Sequence, residues 1–342
     1  MFRSIEMFAT AWLVEPTYKV VHDAFLRGDG LLWNPYLAMG SPFWANIVMQ
    51  VINPLAWIAG FPEPSPEAVL RYIVTYMLCA GLLSFVFLRQ FLPPFSSAFG
   101  ALAYMLNGYF MLYIGMSELS SCALIPGLFY AIEKLFRVPG VKSVALLSLV
   151  TAGMVTICGI PELSLLAVCG GGLYFLFRLF TSTKESKDSR VRIVSCYIGA
   201  NLLAGLYAAP LLLPFAEFLQ ESFNAHVRTG DFIPAGQEVF PFASANLITY
   251  LSPYFLSPIL RYTTVQSPYQ GFTGFWGITV FSLAALATVQ AISTLLNKTA
   301  VQPHQSGRNK ELLSIFCAAS VFLLLAKKFG CPALQWLGSL PL

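Results

Sequence analysis

Apolar residues run along this chain in blocks, and the blocks predict its elements. Residues 1–14 are mildly apolar but carry Arg3 and Glu6, too short and too charged to cross a bilayer and without the layout of a signal peptide. From Glu15 a helix is expected. Pro16 suits its first position, Tyr18, Val21 and Phe25 share one face, Lys19, Asp23 and Arg27 project elsewhere, and Gly28 stops it, which makes an amphipathic helix lying on a membrane. Residues 43–60 are apolar but interrupted by Asn46, Gln50, Asn53 and Pro54, so a re-entrant or interfacial segment is expected there rather than a span. Runs of spanning length follow at about 69–92, 95–115, 118–136, 142–160, 163–180, 193–215 and 272–296, with a shorter one at 312–326. This pattern predicts an all-α integral membrane protein, a polytopic bundle of about eight spans. It divides into a first loop over 1–67 and a helical domain over 68–342, with a polar segment at 216–271. Short breaks rich in Pro and Gly make neighbouring spans antiparallel hairpins.

Between the surface helix and the first span stands Trp33-Asn34-Pro35-Tyr36-Leu37-Ala38-Met39-Gly40-Ser41-Pro42. Pro35 and Pro42 fix φ, Gly40 is expected at a φ closed to other residues, and Trp33, Tyr36 and Trp44 are rings of the kind that settle at a bilayer interface. A rigid, membrane-proximal loop is the reading.

Composition strengthens the membrane reading: 57% of residues are hydrophobic, 11% are charged and the mean hydropathy is +0.69. Charge sets an expected orientation. The loops at 89–94, 133–142, 178–192 and 297–311 hold twelve Lys and Arg against four Asp and Glu, so they are expected on the cytoplasmic side. The loop 1–67, the hairpin at 159–162, the segment 216–271 and the C-terminus then share the external face. Glu133, at the cytoplasmic end of its span, is expected to pair with Lys134 or Arg137. Six of the seven cysteines lie in apolar runs with no CxxC, and read as small core residues. No basic run with interleaved aromatics points to nucleic acid. With three histidines a His-based metal site is not expected and no cofactor is called for, while a divalent metal stays open.

The run from Trp33 to Pro42, followed by an apolar segment dotted with Asn46, Gln50 and Pro54, resembles the first external loop of the YfhO-type bacterial membrane proteins. Three later stretches resemble that family in order: Gly159-Ile160-Pro161-Glu162, the region from Pro210 to Arg228, and Phe329-Gly330-Cys331-Pro332 running to Leu340-Pro341. The resemblance implies a GT-C superfold in a bacterial cytoplasmic membrane. It implies transfer of a sugar from a polyprenyl-phosphate-linked donor to an envelope polymer or lipid acceptor. It also implies a span ahead of residue 1 and sequence beyond residue 342, so a fragment is expected. An external carboxylate would deprotonate the acceptor hydroxyl and a basic group would stabilise the phosphate leaving group. The candidate base is Glu15, Asp23 or Asp29, with Glu162 at the hairpin as a further acid. The family's usual Asp ahead of the surface helix has no equivalent here, where Thr10 and Ala11 stand nearby. Substrate contacts would fall to Trp33, Asn34, Tyr36, Glu118 and Glu221. Arg228 is the phosphate partner, Arg261 and Lys19 are alternatives, and the aromatics of 250–269 would stack on a sugar or form an interfacial belt.

A different class remains open beside this one. The same acids also suit the wet face of a surface helix, and Glu118 and Glu162 suit first turns of helices, where the dipole stabilises a carboxylate. On that view the protein is a non-enzymatic transporter or lipid-handling protein. The sequence shows no internal repeat of the kind transporters often carry.

Overall fold

The computed structural model describes residues 15–37, 39–55, 57, 66–112, 118–157, 159–182, 187–221, 278–296 and 305–328. Arg228, the aromatic stretch 250–269 and the terminal segments 1–14 and 329–342 lie outside them. The chain divides into two units, one of residues 1–106 and 113–223, the other of 107–112 and 224–342.

The first unit opens with α1 (Glu15–Arg27). Gly28 takes φ +70 and ends it, with the Asp29 N–H reaching back to the Ala24 carbonyl at 2.8 Å. The buried stripe is Thr17, Tyr18, Val21 and Ala24. Phe25 shares that face, as expected, but near the end of the helix it is 56% exposed and meets Trp57 edge-on at 6.2 Å. Beneath α1, Val21 packs with Phe43 and Val51 in a small core of the loop's own.

Next, β1 (Trp33–Asn34) and β2 (Ser41–Pro42) pair antiparallel, Trp33 opposite Pro42. The turn between them is held locally: Asn34 Oδ1 accepts the Tyr36 N–H at 2.9 Å and the Leu37 carbonyl accepts the Gly40 N–H at 2.8 Å. Gly40 has φ +116, and a Cβ there would meet the Trp33 indole at 2.7 Å. The expectation of a glycine-only backbone is met, and the neighbouring indole doubles the requirement. Residues 43–57 then form turns and a short 3₁₀ segment (Ile47–Met49), with no helix long enough to span.

The bundle follows: α2 (Pro66–Leu88), α3 (Pro94–Met105), α5 (Glu118–Arg137), α6 (Val141–Thr156), α7 (Pro161–Thr181) and α8 (Lys187–Glu221); α4 (Gly108–Leu112) belongs to the second unit. In α2 the inward stripe is Tyr72, Tyr76, Ala80 and Ser84, whereas Leu70, Val74, Leu78, Leu82 and Val86 point outward. Small and polar groups inside with branched aliphatics outside is the pattern of a helix whose outer medium is lipid. α5 is the central helix, buried along most of its length and packed on α2, α6 and α7. Gly171 of α7 lets Leu128 of α5 sit where a Cβ would stand, 2.8 Å away, so these two helices approach closely. Pro126 within α5 leaves the Cys122 carbonyl without its helical donor, and the Tyr104 hydroxyl of α3 supplies one at 2.7 Å.

Four described helices are long and apolar enough to cross a bilayer: Leu70–Leu88, Leu119–Arg137, Pro161–Thr181 and Ser189–Glu221. Val141–Thr156, Ser282–Thr294 and Glu311–Leu323 are apolar but shorter. The described residues are thus mostly helical, the make-up expected of an all-α membrane protein, with four of the expected eight spans present as helices of crossing length. The expected span over 95–115 is not one helix. α3 stops at Met105, and Asn107 Oδ1 accepts the N–H groups of Tyr109 and Phe110 to start α4 afresh. In the second unit α9 (Ile278–Leu296) and α10 (Gln305–Lys328) pack together.

Candidate functional site

One end of the first unit is closed by a network of neutral polar side chains. Gln50 takes a left-handed backbone, φ 51, which turns its amide into the bundle. Its Nε2 donates to Ser120 Oγ at the start of α5, 3.0 Å, and its Oε1 accepts from the Tyr72 hydroxyl and from Asn53 Nδ2, both at 3.0 Å. Asn53, fully buried, accepts the Tyr76 hydroxyl at 2.6 Å. Ser120 Oγ donates in turn to the Ile157 carbonyl, at the C-terminal end of α6. The polar interruptions that kept 43–60 from reading as a span are thus the groups that tie it to α2, α5 and the turn after α6. Tyr18 of α1 packs on Tyr72 at 6.1 Å. Burial, and then the neighbouring hydroxyls of Tyr72 and Tyr76, push its pKa well above that of an ordinary phenol, so it stays a neutral wall of this network.

The acids named from sequence are in different states. Glu162 is exposed in the first turn of α7, behind Pro161, five residues on from Ile157, whose carbonyl Ser120 bonds. Glu118 is the first residue of α5, two before Ser120. Asp23 is partly open, its carboxylate 3.4 Å from His22 Nδ1. Asp29 is taken by the Arg27 guanidinium at 2.7 Å, and that bond holds the Arg27 pKa above its ordinary value. Glu15 is the first residue of α1 and Glu221 the last of α8. Trp33 and Tyr36 are exposed on the hairpin, while Asn34 is buried and spends its carbonyl on the Tyr36 N–H. The fold therefore brings the first loop, the start of α5 and the turn before Glu162 to one end of the bundle. Among the described side chains, Asp23, Glu162 and Glu221 have no ion pair or hydrogen bond with one another. Among the described residues no group of three His, Cys, Asp or Glu is placed to hold a metal.

The opposite end carries a cluster that the sequence reading assigned differently. Glu133 pairs with neither Lys134 nor Arg137. Its carboxylate, 1% exposed, receives Arg178 Nε at 2.5 Å, Arg178 Nη2 at 3.2 Å and the Tyr174 hydroxyl at 2.6 Å, all from α7. The reason is helical phase: Glu133 lies on the face of α5 turned to α7, whereas Lys134 sits over the Tyr130 ring and Arg137 reaches the Gln90 carbonyl. Aromatics enclose the pair, with Phe129 edge-on to Tyr174 at 4.9 Å and the Phe136 ring beneath Arg178. A carboxylate and a guanidinium in neighbouring apolar helices were visible in the sequence, but their pairing across 45 residues was not.

In the second unit, a recess of about 310 Å³ beside Val289, Ile292, Ser293 and Leu296 contains no acid or base. Comparison of the chain with protein-family models, with curated proteins and with solved structures finds no match.

Proposed function

We propose that this chain is a GT-C-like membrane glycosyltransferase that moves a sugar from a polyprenyl-phosphate carrier to an external acceptor of the cell envelope. One observation carries the reading: the first loop is bonded through Gln50 and Asn53 to the end of the bundle where α5 begins and the turn to Glu162 lies. An enzyme of this kind needs a carboxylate-bearing loop seated at the membrane face where a lipid phosphate arrives, and a neutral, closed floor keeps water and ions from leaking through behind it. Asp23 is the favoured base, because Asp29 is occupied by Arg27 while Asp23 remains open. Glu162 is the second acid and Arg228 the phosphate partner. The loop-bearing end faces outward and the end holding Arg89, Arg137, Lys142 and Arg190 faces the cytoplasm.

The non-enzymatic alternative would draw on Glu133 and Arg178, since charged groups inside spans often mark transport paths. That pair is closed by two hydrogen bonds between its members and a third from the Tyr174 hydroxyl, which favours a structural duty.

In cells, Arg228→Ala and Asp23→Asn are expected to abolish envelope glycosylation without lowering membrane expression, and Glu162→Gln to weaken it. Normal glycan in all three variants would overturn the reading. Cysteines placed at Arg228 should label from outside intact cells, and at Lys187 and Arg308 should not.

A further inference from the structure

α8 contains two prolines, Pro210 and Pro214. Pro214 has no N–H, so the carbonyl four residues before it, that of Pro210, loses its helical donor. The first loop fills the vacancy: Trp44 Nε1 donates to the Pro210 oxygen at 3.0 Å, across 166 positions of sequence. Pro126 of α5 creates the same deficit at Cys122, met by Tyr104, but the surroundings differ. Cys122 and the residues that follow it in α5 are packed on several sides, so Tyr104 is a fixed strut. Pro210 is exposed, and beyond Leu211, which is buried, Leu213 and Leu219 are open. Past Pro210 the helix has lost a rung of its ladder and much of its packing.

We propose that Trp44 is a latch: its indole N–H holds the proline-weakened end of α8, residues 211–221, in a fixed relation to the first loop, and its release lets that end pivot about Pro210. The latch thus ties the first loop to the last turns of α8 through one hydrogen bond. Coupling of this kind allows whatever occupies the first loop to bias the direction of α8's end. The inference rests on backbone chemistry and stands whether or not the catalytic reading holds.

The test is amide hydrogen exchange of the full chain in lipid nanodiscs, read over residues 211–221 and, as a control, over α5. Trp44→Phe keeps an aromatic ring and removes the donor. It is expected to speed exchange at 211–221 by about threefold to tenfold, the factor that one net hydrogen bond carries, with α5 unchanged. Pro214→Ala returns a backbone N–H to the Pro210 carbonyl and makes the indole redundant, so Trp44→Phe in that background should change nothing. Unaltered exchange in Trp44→Phe, a similar increase in both backgrounds, or an increase that extends through α5 would each overturn the latch. If Trp44→Phe alone yields no folded protein, recovery by Pro214→Ala supports the proposal and failure to recover overturns it.

Discussion

The two ends of the first unit bury polar groups by opposite means. Where the first loop docks, the buried groups are amides and hydroxyls: Gln50, Asn53 and Ser120 each share their bonds between more than one neighbour, and the Tyr72 and Tyr76 hydroxyls each donate to one of the two amides. At the other end, a carboxylate and a guanidinium face each other with one hydroxyl in attendance. A neutral network can lose one member and redistribute its bonds, because no net charge is left behind. An ion pair cannot, since removing either partner strands a charge in a medium that solvates it poorly. The first end suits a docking surface assembled from a loop, and the second suits a permanent joint between α5 and α7.

The largest effect should therefore come from Arg178→Ala, which leaves Glu133 without its counter-charge. The expected loss is about 3–5 kcal/mol, read as resistance to unfolding in mixed detergent. Replacing both partners, Glu133→Gln with Arg178→Met, should restore much of it. A double variant as unstable as Arg178→Ala would mean that the pair does more than neutralise itself.

Asn53→Ala probes the other end. It leaves the buried Tyr76 hydroxyl without its acceptor, at a cost of about 1–3 kcal/mol, and the loss should concentrate in the first loop, so that proteolysis within 43–57 rises while α5 and α7 stay protected. Gly40→Val asks whether the loop depends only on that network. A β-branched residue at φ +116 and against the Trp33 ring costs about 1–3 kcal/mol from backbone strain. Met39→Ala, at a fully exposed side chain, should be near neutral by the same proteolysis. Equal tolerance of both substitutions would show that the hairpin is not held by its backbone.

The comparison also explains what could be read from the sequence. Signals that act within a few residues were legible: Pro16 and Gly28 bounding α1, Pro161 and Glu162 opening α7, the glycine-only turn at Gly40, and the Asn and Gln residues that forbid a span over 43–60. The break at Asn107 was hidden because its flanks are apolar on both sides and only the side chain's capping bonds reveal it. Partners far apart in sequence, Glu133 with Arg178, Gln50 with Ser120, and Trp44 with Pro210, depend on helix phase and loop docking, which composition does not encode. For the same reason, the acids proposed for catalysis could be assigned to one end of the bundle but not to one another.

The smallest and sharpest test removes one hydroxyl from each end. Tyr72→Phe takes a donor from Gln50 Oε1, which keeps Asn53 Nδ2; Tyr174→Phe takes a donor from Glu133, which keeps both bonds from Arg178. Neither change strands a charge or alters the side chain's volume beyond one oxygen, so the difference between them isolates the acceptor. Hydrogen bonds between neutral groups in membrane proteins average about 0.6 kcal/mol, and that is the expected loss for Tyr72→Phe. A bond to an ionised acceptor is worth about 1.5–3 kcal/mol, so Tyr174→Phe should cost roughly 2.5 to 5 times as much, measured as the shift in unfolding free energy under one set of conditions. Equal losses would mean that the Glu133 carboxylate is already satisfied by Arg178 alone, and that the two ends differ in charge but not in how firmly each hydroxyl is held.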